Sequence, residues 1–72
     1  MRRVPVSSSA VATVGYDDHS RTLEIEFVSG EVYRYLDVGP ASVVALLEAE
    51  SIGRFVNERI KPHHRHVHVG TA

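Results

Sequence analysis

Four of the five histidines fall in the stretch Pro62-His63-His64-Arg65-His66-Val67-His68-Val69-Gly70, and two of the three tyrosines flank an arginine in Tyr33-Arg34-Tyr35. If the first stretch were extended, His64, His66 and His68 would share one face at a spacing of about 7 Å. Imidazole nitrogens at such a spacing bind zinc, nickel or copper. The chain has no cysteine, however, and no carboxylate lies close by in sequence to complete a ligand set. A polar terminus is more often mobile than ordered, so the expectation is a mobile tail over residues 62–72 with no metal and no cofactor.

The tyrosine pair poses a different question. Rings at alternate strand positions point to one face, and they serve either as core or as a platform on which a planar ligand stacks. A second candidate is Glu50-Ser51-Ile52-Gly53-Arg54-Phe55-Val56-Asn57-Glu58-Arg59-Ile60-Lys61. Ser51 can begin a helix there, Gly53 permits close approach, and Arg54, Asn57, Arg59 and Lys61 supply polar groups that suit an anion. The simpler account is an ordinary helix cap followed by a solvated face. Nucleophilic catalysis has little support, because Asp18-His19-Ser20 are chain neighbours in a polar turn and a triad must converge in space. Glu24 and Glu26 read as the solvent side of a strand. No phosphate-cradling glycine loop is present. The chain is expected not to be an enzyme.

Elements must position these groups, and composition bounds them. Seventy-two residues, 43% hydrophobic and 24% charged, are enough for one folded domain with a thin core. A net charge of −1 gives no bulk basic footprint of the kind that grips phosphate backbones unaided. No apolar run reaches the length of a membrane span, and a cytoplasmic location is the default.

Residues 1–9, with Pro5 and Ser7-Ser8-Ser9, read as a flexible leader before a domain at 10–61. Residues 10–16 form a first strand, with a bulge expected near Gly15. Residues 22–28 alternate Leu23, Ile25 and Phe27 with Glu24 and Glu26, the pattern of a half-buried antiparallel strand. Residues 31–36 make the third strand. Pro40 opens a helix over 40–49, Ser51 caps a second over 52–60, and Pro62 prevents its continuation. The fold class is α+β: a three-stranded antiparallel meander followed by two short helices packed on one face.

The hairpin between the second and third strands decides what the tyrosines do. A two-residue Ser29-Gly30 turn sets Phe27 opposite Val32 and leaves the tyrosines on the solvent face with the glutamates. A three-residue Val28-Ser29-Gly30 loop with Gly30 left-handed slips the register by one. Ile25 then opposes Tyr33, Leu23 opposes Tyr35, and Glu24 meets Arg34. This second register is preferred, because the first strands Arg34 among apolar side chains.

In order along the chain, Val6-Ser7-Ser8, Gly15-Tyr16-Asp17, Leu23-Glu24-Ile25-Glu26-Phe27, Gly30, Tyr33, Tyr35, Val38, Pro40, Ala49, Ser51, Gly53, Phe55, Asn57, Ile60 and Lys61 resemble the KTSC domain family. Domains of this kind take their name from the C-terminus of some lysyl-tRNA synthetases and also occur as single-domain bacterial proteins. The likeness covers residues 6–61. After Lys61 the chain departs from it, with Pro62 and histidines in place of a short aromatic ending. The resemblance implies a small binding module with RNA, in particular tRNA, as partner; the residues that read as candidates for nucleic-acid or anion binding are Tyr33, Arg34, Tyr35, Ser51, Gly53, Arg54, Asn57 and Lys61. The alternative is a protein-interaction or self-association module working through an exposed first-strand edge.

Overall fold

A computed structural model describes residues 2–71; the outermost residues of the expected leader and tail, Met1 and Ala72, lie outside it. Strands β1 (Arg3–Pro5), β2 (Val11–Asp17), β3 (Thr22–Phe27), β4 (Glu31–Tyr35) and β5 (His66–Thr71) form one antiparallel sheet in the order β1-β2-β3-β4-β5. Helix α1 (Pro40–Glu48) and the short helix α2 (Ile52–Phe55), continued by a π-helical turn at Val56–Ile60, connect β4 to β5. The class is α+β as expected. The three-stranded meander, though, is only the centre of the sheet.

Both corrections lie at the edges. Part of the expected leader pairs with β2, setting Arg3 opposite Gly15 and Pro5 opposite Thr13. Part of the expected mobile tail pairs with β4, setting His68 opposite Tyr33 and His66 opposite Tyr35. The physical reason is the same at both ends. A meander of three strands leaves two rows of backbone N–H and C=O groups without partners, and a neighbouring extended segment of almost any composition can fill them.

The β3–β4 register is the preferred one. Leu23 faces Tyr35, Glu24 faces Arg34 and Ile25 faces Tyr33. Gly30 has φ of +95° and its N–H donates to the Phe27 carbonyl at 2.9 Å, which closes the three-residue loop. The bulge, in contrast, falls at Ala12 and not near Gly15, since Val11 pairs with Phe27 while Thr13 already pairs with Glu26. Val11 and Val14 are both buried at a spacing of three. A strand that alternates strictly cannot put both in the core, and the extra residue restores the parity.

The core lies between the sheet and the helices. Val11, Val14, Leu23, Ile25 and Tyr35 from the strands meet Val38, Val43, Leu46, Ile52, Val56 and Ile60. Pro40 starts α1 and the Ser51 hydroxyl accepts the Arg54 backbone N–H at 3.3 Å, so both helix starts follow the expected chemistry. Gly53 packs against Ala10. A Cβ built on Gly53 would come within 2.8 Å of the Ala10 Cβ, which is why this position tolerates no side chain.

The other sheet face carries Thr13, Glu24, Glu26, Val32 and Arg34. Glu24 does not sit in solvent as alternation suggests; it is 6% exposed beneath Arg3 and Arg34. A buried carboxylate persists here because two guanidinium groups reach it. No helix among the described residues is long and apolar enough to cross a membrane.

Candidate functional site

The helices do not cover the whole inner face of the sheet. Beyond their edge a cleft of about 400 Å³ remains, lined by Phe27, Ser29, Glu31, Tyr33, Tyr35, Lys61 and His66. That volume lies within the range of about 300–1,000 Å³ typical of small-ligand sites. Each wall follows from an element already described. The hairpin brings Phe27 and Glu31 to one end, and the ring centroids of Phe27 and Tyr33 are 6.0 Å apart and nearly perpendicular. Strand β5 lays two imidazoles beside the tyrosines: His66 is 5.6 Å from Tyr33, and His68 is 4.8 Å from it at an interplanar angle of 35°.

Tyr33 and Tyr35 therefore share the core face, yet they do not share a role. Tyr35 is 2% exposed and forms the floor, while Tyr33 is only half-buried and stands as a wall. Burial, with a smaller contribution from Tyr33, pushes the Tyr35 hydroxyl pKa above its ordinary value of 10.0. The Glu31 carboxylate accepts a hydrogen bond or ion pair from His68 Nε2. The π-helical turn ends at Lys61, whose N–H donates to the Val56 carbonyl at 2.8 Å. This wide turn delivers Lys61 to the cleft, with Nζ 5.2 Å from the Phe27 ring centroid.

Of the residues that sequence singled out, the structure brings together Tyr33, Tyr35 and Lys61. Arg34 lies across the sheet on Glu24. Ser51 caps its helix, Gly53 is buried against Ala10, Arg54 pairs with Glu58 at 3.4 Å, and Asn57 is exposed on the helix. None of these lines the cleft. The three histidines do not converge either. His66 and His68 share the tyrosine side of β5, but His64 precedes the strand, with Nδ1 3.0 Å from the Leu36 carbonyl oxygen. Among the described residues no group of three histidine, aspartate or glutamate side chains is placed to hold a metal ion.

Asp17, His19 and Ser20 form a turn: the His19 backbone N–H donates to the Asp17 carboxylate at 3.0 Å and is the main cause holding that carboxyl below its usual 3.8. Sequence reasoning missed Phe27, Glu31 and His66 as cleft residues. The signal for His66 was present in the alternation His66-Val67-His68-Val69, which has the period of a strand.

An α+β sheet module with one helix-covered face and an aromatic cleft at its margin is the class these features define. Comparison with known proteins places it more closely. The KTSC domain model matches residues 7–64. An uncharacterised protein of Stutzerimonas stutzeri is 50% identical over 64 residues, covering 89% of this chain and 90% of that protein. A protein of Tsukamurella paurometabola is 46% identical over 63 residues, covering 88% and 94%. The crystal structure of a KTSC domain protein from Yersinia pestis superposes with a TM-score of 0.91 at 38% identity, covering 96% of this chain and 97% of that one. This chain belongs to the KTSC domain family.

Proposed function

We propose that the chain is a non-enzymatic, cytoplasmic RNA-binding module, with tRNA the leading partner, and that the aromatic cleft takes an unpaired base. The observation that carries this reading is the half-exposed Tyr33 between Phe27 and His66 with Lys61 beside them. Proteins that bind single-stranded RNA stack splayed bases on aromatic side chains and hold the backbone with cations. The net charge of −1 limits the electrostatic share and favours a short contact over a long phosphate track. The test is an amide NMR titration with mixed tRNA at low salt. Shifts confined to residues 27–35, 61 and 66–68, reversed by added salt, support the reading; unchanged spectra contradict it.

A second reading, self-association, is favoured by the outer edge of β5. Residues 66–71 carry no lysine, arginine, aspartate, glutamate or proline, and Val67 and Val69 are 52% and 47% exposed. The opposite edge, β1, is three residues long and carries Arg3 and Pro5, both of which discourage pairing. The expected first-strand edge is thus replaced by the β5 edge as the surface for a partner strand. Size measured against concentration separates the two readings, because strand pairing through apolar side chains is insensitive to salt.

A further inference from the structure

We propose that the cleft selects guanine among the bases of single-stranded RNA, and that the Glu31 carboxylate makes the selection. This rests on the RNA reading above and names the ligand of the same site. Glu31 is the one carboxylate lining the cleft. Lys61 balances its charge, so the lining carries no net charge and suits a neutral base over a phosphate.

A carboxylate only accepts hydrogen bonds, so the base must present N–H groups to it. Guanine offers two adjacent donors on its Watson–Crick edge, the ring N1–H and the exocyclic N2–H. Adenine and cytosine place an acceptor ring nitrogen at the corresponding position, and uracil has one donor between two carbonyls. Two parallel N–H···O bonds to one carboxylate are therefore available to guanine alone among the four.

The rest of the cleft agrees with this choice. His68 holds Glu31 through Nε2 and itself lies 4.8 Å from the Tyr33 ring, so the carboxylate is oriented before a ligand arrives. Lys61 supplies a donor for the acceptors on guanine's other edge, O6 and N7. It also excludes cations, which an aromatic cage with a carboxylate would otherwise attract. The Tyr35 hydroxyl belongs to a side chain almost fully buried on the cleft floor, and among the described residues it makes no hydrogen bond. The hydroxyl is nevertheless reachable from the cleft, so it offers a further donor or acceptor to a bound base.

The test uses fluorescence anisotropy at low salt with short oligouridine strands that carry one central guanine, adenine or hypoxanthine. The guanine strand is expected to bind about tenfold to hundredfold more tightly than the adenine strand, the range of a bidentate pair. Hypoxanthine, which lacks the N2 amino group, falls between them. Glu31→Gln is expected to bring the guanine and adenine strands to within about twofold, and its melting curve checks that it folds. Equal affinity of the wild-type chain for guanine and adenine strands overturns the guanine assignment and leaves the RNA reading standing. A guanine preference that survives in Glu31→Gln overturns the role of the carboxylate. Failure of every strand to bind overturns the RNA reading and the assignment with it.

Discussion

Arg34 Nε lies 2.8 Å from Glu24 Oε1 directly across β3 and β4, and Arg3 Nε approaches the other carboxylate oxygen at 3.2 Å from β1. One buried carboxylate thus ties three strands, two of which are not neighbours. Removing its charge leaves two guanidinium groups over an uncharged amide. Glu24→Gln is expected to lower the unfolding free energy by about 1–3 kcal/mol, read from urea denaturation. An unchanged midpoint would show that solvent screens the network.

Gly53→Ala separates propensity from packing. In an exposed helix the change would stabilise by about 1 kcal/mol. Here the new Cβ meets Ala10 at 2.8 Å, so the expected sign is reversed, with a loss of about 1–3 kcal/mol. Ala10→Gly in the same chain should recover most of that loss, since the clash is with one methyl group. A double-mutant cycle in thermal unfolding checks it.

Lys61 and Arg54 are expected to part company in RNA binding. Lys61 lines the cleft, whereas Arg54 is paired with Glu58 on the helix surface. Lys61→Ala should weaken the guanine strand more than the adenine strand, because it removes the donor to O6 and N7. Arg54→Ala should leave both affinities unchanged within error. Equal losses in the two variants would move the contact to the helix.

Tyr35 gives the fold an alkaline limit. Its pKa is raised in the folded chain because burial disfavours the phenolate, with Tyr33 adding to the effect. Above the unfolded value of 10.0 the unfolded chain releases this proton first and so holds fewer protons than the native one. Stability is therefore complete below that pH and falls as pH rises through the folded pKa. Tyrosinate absorbance should show a step later than that of a free tyrosine, and Tyr35→Phe should remove it.

Removing residues 66–72 tests whether β5 is part of the fold. The five paired positions along β4 are expected to contribute about 2–4 kcal/mol in hydrogen bonds, less the entropy released by the freed segment. A shortened chain with unchanged melting would return those residues to the status of a mobile tail.

How much of this was legible in the sequence depended on what each segment had to bury. Leu23, Ile25 and Phe27 alternate with glutamates, so β3 and its face could be read directly. Arg34 settled the hairpin register, since only one pairing gave it an acidic neighbour. Strand β1 was not legible, because it joins through backbone groups and ends in a proline before a run of serines, and in β5 the strand-period alternation of His and Val was outweighed by a polar, terminal composition that signals loop. The site was half legible for the same reason. Tyr33 and Tyr35 stood out by type, but the cleft exists only because β5 adds His66 and a π-helical turn carries Lys61 past the end of α2. Helical periodicity gives no sign of that extra residue in the turn.

The sheet order has a kinetic meaning. Strands β1 to β4 pair with their sequence neighbours across short connections, whereas β5 must wait for a closure that spans both helices. Loop-closure entropy grows with the enclosed length, so β5 docks last onto a meander that is already formed. Substitutions in β5 should then quicken unfolding and leave refolding rates almost unchanged. Hydrogen exchange should accordingly show β5 opening while the central strands β2 to β4 stay closed, and with each such opening the histidine wall of the cleft would leave and return.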